Sequence, residues 1–93
     1  MNDIINYKLK KEVMTMKEKL NAYFEKEYQT TVQLLKDDPN WLKGKTKKKE
    51  MIWNAVHRCL GAVMFVQELG LAYDDTKAYD EYLEKFKQLI FNL

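Results

Sequence analysis

The sequence predicts an all-α protein, a three-helix arrangement with the apolar second helix central. Three observations carry this expectation. The 93 residues contain only three glycines and one proline, so the chain has few turns. Between those breakers, apolar residues recur at helical spacing. One segment, 52–70, is apolar around most of its circumference, and such a helix has to be covered on several sides. A chain of this length has room for one core, so a single domain spanning 1–93 is expected. The apolar share of 46% and charged share of 32% suit a folded globular chain, with twelve aromatic residues as bulky core material.

Helix 1 is expected over about 3–29, with Asn2 or Asp3 able to accept from the free N–H groups of its first turn. Ile5, Leu9, Val13, Met16, Leu20, Tyr23 and Phe24 fall in one sector about 100° wide, while Lys11, Glu18 and Glu25 lie opposite. Glu27 lands in the middle of the apolar sector, so the clean pattern ends near 24–28. From there the sequence leaves two continuations. Thr31 can cap a short second segment over 32–36, or helix 1 can run on to 36 with Leu34 rejoining its stripe. Pro39 ends either version, because it drives Asp38 out of helical geometry.

The connection that follows contains Trp41 and Leu42, both expected to fold back over the core. Thr46 is the expected N-cap of helix 2, which runs over 46–69. Gly70 reads as its left-handed terminator, with Leu71 placed to contact Val66. Helix 3 is expected over 75–92, started by Asp74 or Asp75. Its core positions are Tyr79, Tyr82, Leu83, Phe86, Leu89, Ile90 and Leu93, and Glu81 and Lys85 are spaced as an external i,i+4 pair.

Composition narrows the setting. Cys59 is the single cysteine. It can form no intrachain disulfide, which favours a reducing, cytoplasmic compartment. Residues 2–11 lack the apolar h-region of a signal peptide. The longest uninterrupted apolar stretch, 59–66, is far short of the ~20 residues needed to cross a bilayer. Charge is unevenly spread. Residues 1–49 hold twelve basic and seven acidic groups (+5), and residues 50–93 hold four basic and seven acidic groups (−3). Such opposite halves can attract each other within a fold or between copies.

Catalytic chemistry finds little support, and the expectation is a non-enzymatic protein with no cofactor. His57 and Cys59 are close in sequence but project about 160° apart on a helix, too far for a nucleophile–base pair. Cys59 is expected inside and His57 at the boundary. One His and one Cys also make a poor start to a metal site. Asp74 and Asp75 read as caps, and Asp80 and Glu84 as solvent-facing charges. No glycine-rich phosphate loop or hydrolase signature is present.

Two binding expectations remain. The first is a thin strip on helix 2, Asn54, Arg58, Gly61 and Phe65, suited to a protein partner or a second copy of the chain. Glycine costs about 1 kcal/mol against alanine inside a helix, so a close approach at Gly61 would explain it. Arg and aromatics are also frequent at binding hot spots. The same strip would equally serve as a seat for helix 3 or the Trp41 loop. The second expectation is a nucleic-acid contact through Lys43, Lys45, Lys47, Lys48 and Lys49, with Trp41 as a stacking surface. A solvated loop is the bland reading of those lysines, and the absence of Arg weakens the phosphate-reading one. Membrane attachment through helix 1 is disfavoured by the glutamates on its polar face. No small-molecule substrate is implied.

Overall fold

A computed structural model describes the backbone of residues 2–69 and 77–93 and the side chains of 16–69 and 78–93. Helix α1 is one unbroken helix, Asn2–Asp37. Of the two continuations open in the sequence, the longer is the one adopted. Thr31 does not cap a second segment, because its hydroxyl donates to the Glu27 carbonyl one turn back, at 2.7 Å. Its side chain is buried, and Leu35 beyond it still packs on the core. Glu27 does not stop the helix either, since Arg58 reaches across from another helix to neutralise it.

The end of α1 follows from local chemistry. Asp38 adopts a left-handed backbone, φ 46°, and its N–H bonds the Leu34 carbonyl at 3.0 Å. Asp and Asn tolerate this conformation better than most side chains. Pro39 then precludes a further helical turn. A single 3₁₀ turn, Asn40–Leu42, leads through Gly44 at φ 100° to helix α2, Lys45–Glu68. Gly44 itself is the capping residue, with no side-chain cap. Thr46 therefore lies inside the first turn, a correction to its expected role. Its place is taken because the turn needs a positive φ that only glycine adopts easily.

Helix α3 spans Lys77–Phe91, within the expected 75–92. The expected stop at Gly70 and Leu71 and the expected caps Asp74 and Asp75 lie outside the described residues.

Ring contacts fix the directions of the helices. Phe24 meets Tyr79 and Tyr82, while Tyr28 meets Tyr82 and Phe86. Positions advance together, so α3 runs parallel to α1. The short connection 38–44 and the Arg58–Glu27 pair make α2 antiparallel to both. The core consists of Leu20 and Phe24 from α1, six residues of α2 and Phe86 of α3. Tyr79, Tyr82, Leu83, Leu89, Ile90 and Leu93 pack against it as the periodicity of helix 3 predicts. Lys85 lies over the rings of Tyr82 and Tyr28, and not against Glu81 as its spacing suggests.

Helix α2 is central in that it packs on both other helices more extensively than they pack on each other. It is not enclosed. Its buried side chains are Ile52, Ala55, Val56, Cys59, Val63 and Val66, which at 100° per residue fill a sector only about 100° wide. The expectation that an apolar helix be covered on several sides is therefore met on one. Among the described residues, no helix is long and apolar enough to cross a membrane.

Candidate functional site

The uncovered side of α2 carries large apolar residues in the open. Trp53, Leu60, Met64, Phe65 and Leu69 are all exposed, Phe65 by 61%. They form two ridges. Trp53, Leu60 and Met64 recur at spacings of seven and four and lie on one side, while Phe65 and Leu69 lie on the other. Gly61 sits in the trough between them. A methyl group added there meets nothing within 4 Å. Neither α3 nor the Trp41 loop seats on Gly61, and among the described residues nothing covers Phe65. Both of the in-chain covers open in the sequence are thereby ruled out.

Asn54 and Arg58 continue the trough toward the helix start. The Arg58 side chain is about half exposed, at 51%. Its Nε and Nη2 both donate to the same carboxylate oxygen of Glu27, at 3.1 and 2.8 Å. The Glu27 side chain is largely buried, at 17% exposure. A carboxylate in that position needs a cation, and Arg58 supplies it. Hydrogen bonding to Glu27 pushes the Arg58 pKa up. Burial raises the phenol pKa of nearby Tyr23, and the charge of Glu27 adds to that. Arg58 therefore has a structural task besides any role at the surface. Glu27 was legible as an anomaly, a carboxylate in an apolar sector, but its partner lies 31 residues away.

Beside Arg58 opens a cleft of about 310 Å³ lined by Trp41, Leu42, Lys47, Glu50, Met51 and Asn54. It brings together residues from both sequence-predicted sets, Trp41 and Lys47 from the basic segment and Asn54 and Arg58 from the helical strip. Its volume is at the low end of those that hold small ligands. Leu42 is buried at the cleft floor as expected, whereas Trp41 stands out at 60% exposure, a correction to its expected place over the core. The two residues follow each other in a 3₁₀ turn, so they project in different directions and only one can face inward.

The basic segment is divided in its use. Asp38 takes Lys43 at 2.6 Å and Lys48 at 3.3 Å. Hydrogen bonds from Lys43 and then Lys48 hold its carboxyl below the usual range. Lys45, Lys47 and Lys49 have no acidic partner among the described residues. Cys59 is buried, and burial pushes its thiol up to about 11, so it stays protonated near neutral pH. His57 lies on the outer face, more exposed than the boundary position expected, with its ring near that of Trp53 at 6.3 Å.

Comparison of the sequence with protein-family models and curated proteins, and with solved structures, finds no match.

Proposed function

We propose that the protein is a non-enzymatic protein-interaction module that binds through the outer face of α2. One observation carries this reading: five large apolar side chains lie exposed around a glycine that nothing among the described residues approaches. Single exposed apolar residues are ordinary, but a contiguous set marks an interaction surface. Fully burying one such side chain is worth about 1.5–3 kcal/mol. The five are 38–61% exposed, so covering each supplies part of that amount, against the cost of association. Arg58 and Phe65, two turns apart on the same side of the trough, are residue types enriched at hot spots.

Cross-linking in cell lysate, with wild type and Phe65→Lys compared, tests the reading. Phe65 is exposed, so the variant should fold with an unchanged circular dichroism spectrum and melting profile. Adducts seen with the wild type should weaken by about tenfold or more. Identical adduct profiles from the two proteins would remove α2 as the binding face.

A second reading, nucleic-acid binding, is favoured by Trp41 and Lys47 sharing one cleft. With Lys43 and Lys48 engaged by Asp38, three cations of the cluster remain for phosphate. Affinity for labelled single-stranded DNA should then fall with salt at a log–log slope of about −2, at roughly 0.7 per neutralised phosphate. No binding at low salt would end this reading.

A further inference from the structure

Taking the outer face of α2 as the interaction surface proposed above, we infer that its occupant is a second copy of the chain. The two α2 helices cross antiparallel about a two-fold axis at Gly61, with Phe65 and Leu69 of each copy seated against the Arg58 and Asn54 side of the other.

The placement of features about Gly61 is what a two-fold requires. An antiparallel pair centred on residue 61 sets a residue n places after it against the residue n places before it, and the pattern repeats in reverse on the other copy. Arg58 lies three residues before Gly61 and Phe65 four after, about 4.5 and 6 Å along the axis. Asn54 lies seven before and Leu69 eight after, about 10 and 12 Å. These four residues share the same side of the trough, within about 60° on the helix. Each copy thus carries an exposed apolar projection (Phe65 and Leu69) and a cleft (Trp41, Met51, Asn54, Arg58) at matching distances on opposite sides of one glycine. A face that bears both a knob and the complementary hole in this register is complementary to itself.

Gly61 supplies the close approach. The absence of a Cβ at the crossing point lets two backbones come near each other, with Leu60 and Met64 of both copies closing one side of the seam. On the other side the Phe65 ring falls over the outward face of the partner's guanidinium. Arg58 is already held flat by its two bonds to Glu27, which suits cation–π stacking.

Charge selects the antiparallel direction. From 45 to 60, α2 carries Lys45, Lys47, Lys48, Lys49 and Arg58 against Glu50. From 61 to 68 it carries Glu68 alone. A parallel pair would stack one lysine cluster on the other. The antiparallel pair separates the clusters by at least the length of the helix and leaves each on the side of its mate's Glu68. It also sets the two helix dipoles in opposition.

The test combines sedimentation with directed cross-linking of the full chain. Sedimentation equilibrium over micromolar to millimolar concentration should show mass rising from one chain to two. Phe65→Lys and Gly61→Leu should each weaken pairing by about tenfold or more, with the protomer's melting profile unchanged in Phe65→Lys and no lower in Gly61→Leu, where the entropic cost of glycine is also removed. Gly61→Leu fits the protomer because the space beside it is open. Direction is read from Asn54→Cys and Glu68→Cys, seven residues either side of Gly61. Oxidising a mixture should join unlike variants, and neither variant should join to itself. Self-joining of Asn54→Cys would overturn the antiparallel arrangement. A wild type that stays monomeric throughout would overturn self-pairing. If its lysate adducts still depend on Phe65, the interaction face survives with a different partner. If they do not, both proposals fall.

Discussion

Gly61 and Arg58 show how much a single position on α2 can reveal. Gly61 sits mid-helix with ordinary backbone geometry and open space where a Cβ would go. In the isolated protomer it therefore brings only its entropic cost. Gly61→Ala should raise protomer stability by about 1 kcal/mol in urea unfolding at low concentration. A destabilisation would mean that something does approach the position. Arg58 behaves in the opposite way, since its removal would strand the Glu27 carboxylate in a largely buried site. Sequence reasoning named Arg58 for a binding role and saw Glu27 as a break in pattern. The connection between them was not legible, because a contact across 31 residues depends on how two helices pack, which periodicity within one helix does not specify.

At the level of elements, the seam between α1 and α3 joins ring contacts to a charged hydrogen bond. The Tyr82 hydroxyl donates to the Glu25 carboxylate, with its ring tilted against Phe24 at 5.7 Å. That bond holds Glu25 below the ordinary carboxylate range, with a smaller contribution from Gln29. It also pushes Tyr82 up to about 12, with burial adding to the effect. Burial raises Tyr79 as well. The sign follows for each group. A raised phenol pKa contributes stability that is complete below the ordinary value of 10.0 and is lost as pH rises through the folded value near 12. A lowered carboxylate contributes above its unfolded value and is lost as pH falls through the folded one. The urea midpoint should therefore hold across neutral pH and fall on both flanks. Tyr82→Phe should lower the plateau and flatten the alkaline flank. An unchanged alkaline flank would show that the phenol is not held by the fold. The elements themselves were well marked in the sequence. Helix 3 was read correctly in its core face because its stripe is regular. The unbroken α1 was left open because Thr31 serves equally well as a cap or as a helical residue bonded to the preceding turn, and only burial decides between them.

Across the whole molecule, the helix lengths are unequal. At 1.5 Å per residue, α1 is about 54 Å long, α2 about 36 Å and α3 about 23 Å, and the longest dimension of the molecule is 59 Å. The all-helical class and the packing of three helices were legible from the scarcity of glycine and proline. The degree of enclosure was not. Here α1 and α3 together bury only about a 100° sector of α2, so its apolar surplus stays outside. Counting apolar residues on one helix gave the surplus, but where it would go depended on how much surface the partners possess.

The double duty of Arg58 has a thermodynamic consequence. Its guanidinium is a wall of the outer cleft and, through Glu27, a counter-charge to the interior. Occupancy of the cleft and integrity of the core are then two readings of one free energy, linked reciprocally. A binder that leaves the Arg58–Glu27 bonds in place raises the midpoint of unfolding by mass action. One that draws the guanidinium away loosens the contact between α1 and α2 while it binds. The cleft is thus sensitive to how a ligand holds its arginine as well as to whether a ligand is present.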